Sequence, residues 1–285
     1  MERALVALGT LLLCAGCVTV PVPDVPQPPV QSRIADANAR AATLVRAGDD
    51  AGAARHYEEA LRLARSIEDA DAIAAGAINL SIVHQRLGRD AAAREFLSVV
   101  LDEKHLSFPE RRRLQAELRC AILDLASRDA GGAAAWAQRA RERCERLACD
   151  LAAAILNVQA LIALDTGRPE EGARLAQSAG AAARSRGDRA EEANALRTIG
   201  RARAALGDPA GSIQPLEAAL ALDRELADPR KILVDLVELG QASLAKGDRD
   251  AARAYFERAL TVGRAARDAR SVEDIGGRLR LLEGR

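Results

Sequence analysis

The chain holds 285 residues, 41 of them basic and 41 acidic, for a formal net charge of zero. That balance excludes the basic excess by which a nucleic-acid binder is recognised. Hydrophobic residues make up 49% of the chain but aromatics only 2%, and such an alanine-dominated apolar set suits close helix–helix contact better than a β-sandwich. The length is enough for a sizeable core in one elongated domain or two compact ones.

The N-terminus reads MERALVALGTLLLCAGC. An apolar run from Ala4 to Leu13 follows one arginine and precedes the small residues Ala15 and Gly16. A membrane-spanning helix needs about 20 residues, so this run is too short to span; it has the length and order of a secretory signal. The segment Cys14-Ala15-Gly16-Cys17 resembles a bacterial lipobox. Cys14 departs from the leucine usual there, and Glu2 offsets the charge of Arg3. An uncleaved anchor is the alternative. The resemblance implies a lipoprotein signal peptide over residues 1–16 and a lipid on Cys17. A diacylglycerol plus an N-acyl chain exceeds the two signals that stable anchoring needs. By the same resemblance, Val18 after the cysteine implies the outer membrane, with the chain on its periplasmic face.

Residues 17–31 form a linker. Pro21, Pro23, Pro26, Pro28 and Pro29 fix φ and remove backbone donors, so the segment is expected as extended polyproline II. At about 3.1 Å per residue the fourteen residues from Val18 to Gln31 reach roughly 40 Å, enough to hold the remainder away from a surface.

From residue 32 onward the chain repeats. Gly48, Gly88, Gly167, Gly207 and Gly247 each interrupt a helical pattern, and the spacing is 40 except for one gap of 79. A degenerate copy around Arg128 fills that gap. Six units result, over about 34–73, 74–113, 114–152, 153–192, 193–232 and 233–269, with a capping helix over 270–285. Each unit places a small residue in its first helix (Ala41, Ser81, Ala121, Ala160, Gly200, Gly240) and another in its second (Ala53, Ala93, Ala133, Gly172, Ser212, Ala252). The two small positions flank the break, where antiparallel helices come closest. Glycine at the break suits the left-handed cap of a helix, and Pro169 or Pro209 suits the first turn of the next. Pro215 falls inside a second helix, where a backbone bond is lost and a kink is expected.

Stretches such as ALRTIGRARAALGDPAGSIQPLEAALAL and LVDLVELGQASLAKGDRDAARAYFERAL resemble the tetratricopeptide repeat, in a variant of period 40 where 34 is usual. The resemblance implies an all-α fold, an α-solenoid of about six helix hairpins wound as a right-handed superhelix with a C-terminal capping helix. It also implies a concave groove lined by the first helix of each unit.

No motif carries enzymatic chemistry. His56, His84 and His105 lie in separate stretches, and there is no HExxH, phosphate-binding glycine loop or GxSxG. The chain is therefore expected to be no enzyme, with no cofactor, no metal and no small-molecule substrate. Cys120, Cys144 and Cys149 are odd in number, which leaves one unpaired in an oxidising compartment. A bridge between Cys144 and Cys149 requires the chain to turn between them, because an i, i+5 pair in a continuous helix points apart. All three as buried apolar residues is the equal alternative.

The first helices offer Asn38, Arg46, Asn79, Arg86, Arg119, Asn157, Arg197, Arg201 and Gln241 as candidate groove residues. Asparagine both donates to and accepts from an extended backbone, and arginine clamps a carboxylate. The expected partner is a protein or peptide, bound by a scaffold that a lipid holds to the membrane. Lipoproteins of this build assist pilus or secretin assembly, outer-membrane assembly, or cell-wall enzymes as adaptors. A soluble cytoplasmic peptide sensor or regulator is the alternative if residues 1–16 are not a signal.

Overall fold

A computed structural model describes residues 29–102 and 105–283. The expected signal peptide, Cys17 and nearly all of the expected linker lie outside the described residues. Every regular element within them is helical. In chain order these are α1 (Val30–Arg46), α2 (Asp50–Ser66), α3 (Ala70–Arg86), α4 (Asp90–Leu101), α5 (Glu110–Ala126), α6 (Ala130–Leu147), α7 (Ala152–Asp165), α8 (Pro169–Arg186), α9 (Arg189–Ala205), α10 (Pro209–Glu225), α11 (Pro229–Ala245), α12 (Arg249–Ala265) and α13 (Ala269–Glu283). They pair as six hairpins, α1 with α2 through α11 with α12, and α13 closes the end. Helix α1 takes in Val30 and Gln31, the last two residues assigned to the linker.

One turn design serves within units and between them. A residue in the left-handed region follows most of these helices: Gly48 at φ +80° and Gly207 at +81° within units, but Glu68 at +52° and Ala227 at +52° between them. That conformation folds the next amide back onto the helix, as in Asp208 N–H to the Arg203 carbonyl at 2.9 Å and Asp228 N–H to the Asp223 carbonyl at 3.1 Å, which satisfies carbonyls a helix end would leave bare. The residue just past the left-handed one then caps the next helix. Asp49 accepts from Gly52 N–H at 2.7 Å, Asp208 from Gly211 N–H at 2.8 Å and Asp248 from Ala251 N–H at 3.0 Å. The structural repeat is therefore a helix and a turn of about 20 residues, half the glycine period.

The small residues mark where paired helices touch. Ala41, Ser81, Ala121 and Ala160 are fully buried, as are Ala53, Ala93, Ala133, Ser212 and Ala252. A Cβ on Gly200 would come within 2.6 Å of Leu216 Cγ, and one on Gly240 within 2.5 Å of Phe256, so glycine is required at both for the bulkier partner to fit. The apolar core forms three clusters, one over α1–α6, one over α5–α7 and one over α10–α13. Between the last two, α8 and α9 meet through Ala176, Ala179, Ala183, Ala193 and Ala195, all fully buried.

Curvature follows from which helices touch across units. First helices pack on one another, α1 on α3, α3 on α5, α5 on α7, α7 on α9 and α9 on α11, and second helices make no comparable contact. The array bends toward its first helices, which form the inner wall.

Pro215 leaves α10 continuous, contrary to the kink expected from sequence. The proline ring has no N–H to give the Gly211 carbonyl four residues back. Arg203 fills the vacancy, its Nη1 donating to that carbonyl at 2.7 Å.

Candidate groove on the inner wall

Two adjoining hollows run along the inner wall. One, about 340 Å³, is lined from α3, α5, α7 and α9; the other, about 390 Å³, from α5, α7, α9 and α11. Leu118, Arg119, Ile122, Ala154 and Glu191 belong to both, so they form one groove. Its floor is apolar, with Ile78, Ile82, Leu118, Ile122, Val158 and Leu161. The spacing of these residues places them on the face of each first helix that its own second helix does not cover.

Of the nine candidate residues, the groove brings together Asn79, Arg119, Asn157, Arg197 and Arg201. Asn38, Arg46, Arg86 and Gln241 do not line these hollows. Arg46 donates to Thr43 Oγ1 on its own helix, and Gln241 is exposed.

The five that converge differ in what they are free to do. Arg197 is 5% exposed; its guanidinium pairs with Asp223 of α10, with Asp235 of α11 at 2.6 Å and with Asn194 Oδ1 at 2.9 Å. It therefore clips three helices together while lining the groove. Arg201 pairs with Glu238 at 2.8 Å. Asn157 donates to the Glu191 carbonyl at 3.2 Å and to its side chain at 2.7 Å, tying α7 to α9. Its Oδ1 is buried without a partner.

Arg119 stands apart. Nη2 donates to Gln85 Oε1 at 2.5 Å, and Nε is buried without a partner. Burial, then repulsion from Arg86, brings its pKa down to about 10. No carboxylate pairs with it among the described ion pairs. Asn79 lines the same stretch of groove, beside Arg112 and Gln115. Lys231, at the far end, donates to Asn194 Oδ1 at 2.9 Å, and burial lowers its pKa. Sequence reasoning missed Glu191 and Lys231; Glu191 sits nearly two turns before Arg197 on α9 and Lys231 nearly three turns before Gln241 on α11, so following each first-helix face back from those residues would have found them.

Away from the groove, a disulfide joins Cys144 to Cys149, with Cα atoms 4.8 Å apart. The turn that allows it is Ala148, in the left-handed region at φ +47°. Cys120 is buried, and its thiol is pushed up to about 12, chiefly by burial. His84 is 7% exposed, 4.0 Å from Glu58, and its ring meets Phe96 at a tilt of 44° with centroids 5.1 Å apart. Among the described residues no cluster of His, Cys, Asp and Glu is placed to hold a metal ion, and no helix is long and apolar enough to cross a membrane.

The tetratricopeptide repeat family model matches residues 236–262, which run from α11 into α12. No curated protein sequence matches the chain. Among solved structures, it is similar to a signal-transduction ATPase with numerous domains and a tetratricopeptide repeat sensor from Pyrococcus horikoshii, at 16% identity and TM-score 0.60, over 83% of this chain and 36% of that one. The chain thus spans about a third of that relative. A Rap protein complexed with competence and sporulation factor matches at 14% identity and TM-score 0.64, over 89% and 71% of the two chains. Aspartyl phosphate phosphatase F from Bacillus subtilis matches at 12% identity and TM-score 0.57, over 90% and 80%. At these identities the likeness is one of fold. A repeat match at α11 and α12, carried through six hairpins by the same turn and the same small-residue contact, makes this chain a helical-repeat solenoid of the tetratricopeptide type.

Proposed function

We propose that the chain is a non-catalytic scaffold that takes an extended segment of a partner protein along its inner groove. A lipid on Cys17 holds it at the periplasmic face of the outer membrane, where it assists assembly of an envelope complex: a pilus or secretin, the outer-membrane assembly machinery, or a cell-wall enzyme through an adaptor role.

The observation that carries the groove is the pairing of an apolar floor with buried, unsatisfied polar atoms. Arg119 and Asn157 both line the groove, and Arg119 Nε and Asn157 Oδ1 are buried there without a partner. Leaving such an atom unpaired in the interior costs about 1–3 kcal/mol, and a bound segment with a carbonyl near Arg119 and an N–H near Asn157 recovers it. Peptide backbone supplies both groups at every residue. The Rap protein with a similar fold is complexed with competence and sporulation factor, which supports a partner lodged in a solenoid. The anchor rests on the lipobox resemblance at Cys14 to Cys17.

The test of the groove replaces Asn79 and Arg119 together by alanine. Partner affinity is expected to fall about tenfold or more with helical content unchanged and melting little changed, because Arg119 ties α5 to α3 by one hydrogen bond to Gln85 and neither residue carries a buried ion pair as Arg197 does. Undiminished affinity would move the site to the outer face. For the anchor, radiolabelled palmitate is expected on the wild type and absent from Cys17→Ala. An unlabelled wild type would return the chain to the reading of a soluble sensor.

A further inference from the structure

The two ends of the solenoid meet. A Cβ on Gly48, in the α1–α2 turn, would collide with the carbonyl oxygen of Ala266, which caps α12. Beside that contact, Arg230 at the start of α11 reaches Asp50 at the start of α2, Nη2 to Oδ2 at 2.5 Å across 180 residues of sequence. Arg86, from the end of α3, faces the same carboxylate at 3.6 Å. Six hairpins therefore complete one superhelical turn, and the lower edge of the first unit rests on the upper edge of the sixth. One hollow already takes Leu118 of α5 and Val234 of α11 together, as a tightly wound wall requires.

We infer that this meeting of the ends is a seam that opens and closes, and that it gates sideways entry to the inner groove. The gating rests on the groove being the binding site; the seam itself does not. The apolar clusters of the first and sixth units are separate, so opening breaks no core. What crosses is one carboxylate between two guanidiniums and a close backbone approach. The carboxylate is buried, but the two guanidiniums are each about a third exposed, so salt reaches the pair from the arginine side, whereas the hairpin interfaces on either side are held by apolar burial. With the seam closed, the groove is reached only along the superhelix axis, which suits a partner with a free chain end. With it open, the groove also accepts an internal segment flanked by folded parts.

Glycine chemistry provides the test. Gly48 and Gly207 have almost the same φ, +80° and +81°, but nothing lies within 4 Å of a Cβ on Gly207. Alanine strains both turns equally, and only Gly48→Ala pushes the seam apart. In the full chain, X-ray scattering should show a larger radius of gyration for Gly48→Ala and for Arg230→Glu, an unchanged one for Gly207→Ala, and wild-type values for Arg230→Lys. Circular dichroism should show the same helical content throughout. Raising salt to about 1 M, where screening acts within roughly 3 Å, should expand the wild type toward Gly48→Ala. A groove thiol, Asn79→Cys followed on its own tryptic peptide, should react faster with a bulky maleimide when Gly48→Ala is added, and not when Gly207→Ala is. Equal radii for the two alanine variants would overturn the seam. A larger radius with an unchanged labelling rate would overturn the gate alone. Neither result depends on any partner, so a failed binding reading remains distinguishable from both.

Discussion

Arg197 and Arg201 lie one helical turn apart on α9 and look alike in sequence, yet they do opposite work. Arg197 is enclosed by two buried aspartates from different helices. Removing one member of a buried ion group strands the others in the interior, a change that costs about 3–5 kcal/mol. Arg197→Met is therefore expected to lower stability by that amount in chemical unfolding, and Arg201→Met, whose partner Glu238 is partly exposed, by less than about 1 kcal/mol. Asp223 adds a pH dependence. Burial raises its carboxyl to about 7, with Asp235 adding to the rise and Arg197 opposing it. A carboxyl whose pKa is raised by folding contributes stability that is complete below the unfolded value of about 4 and is lost as pH climbs through 7. Asp223→Asn removes that slope, so wild type and variant are expected to converge as pH falls from 8 to 4; melting curves that stay parallel would refute it. His84 acts in the opposite sense. Burial lowers its pKa, so its contribution is present above about 6.5 and lost as pH falls through the folded value.

Pro215 and Arg203 form a second residue-scale pair. The proline takes away the donor that the Gly211 carbonyl would have had, and the guanidinium replaces it. Arg203→Ala is expected to cost about 1–3 kcal/mol in the wild type and much less in a Pro215→Ala background, where the helix amide returns. Equal costs in both backgrounds would show that the two residues are not coupled.

At the scale of elements, most of the array was legible. Glycines every 40 residues marked the turns within units, and the small residues beside them marked the contacts, because close approach of two helices leaves no room for a larger side chain. The turns between units were harder to see, because Glu68, Ala148, Ala227 and Arg267 hold the left-handed conformation without glycine. Aspartates follow three of them and kept the 20-residue period in view: Asp69, Asp228 and Asp268, like Asp188 after Gly187, cap helices just as Asp49 and Asp208 do. A non-glycine residue in that region carries about 1–2 kcal/mol of strain. Ala227→Gly is accordingly expected to stabilise the chain by about 1 kcal/mol in thermal unfolding, and Gly207→Ala to destabilise it by a similar amount. Reduction of the Cys144–Cys149 bridge, which closes a short loop, is expected to cost about 2 kcal/mol, read as a lower melting temperature in reductant. The groove residues were legible only in part. A position on the inner face follows from helical spacing, but whether a side chain there is free depends on what the next unit supplies. Asp235, 38 residues away from Arg197, carries no mark in the sequence.

For the whole molecule, the winding was the least visible feature. Nothing in the spacing of Asp50 and Arg230 announces that they meet, because the meeting depends on small rotations accumulated over six hairpins. Those rotations turn an open concave face into an enclosed groove with an apolar floor, and they bring Asn79, Arg119 and Asn157 around it. The proposed binding surface is this inner groove and not the outer face. Site-specific photo-crosslinking in intact cells tests it most directly, with the photoreactive residue placed at Asn79 or Leu161 inside, or at Arg55 or Glu257 on exposed positions of second helices. One discrete adduct is expected from both inner positions, lost with Arg119→Ala. The same adduct from Arg55 or Glu257, with none from the groove, would contradict it.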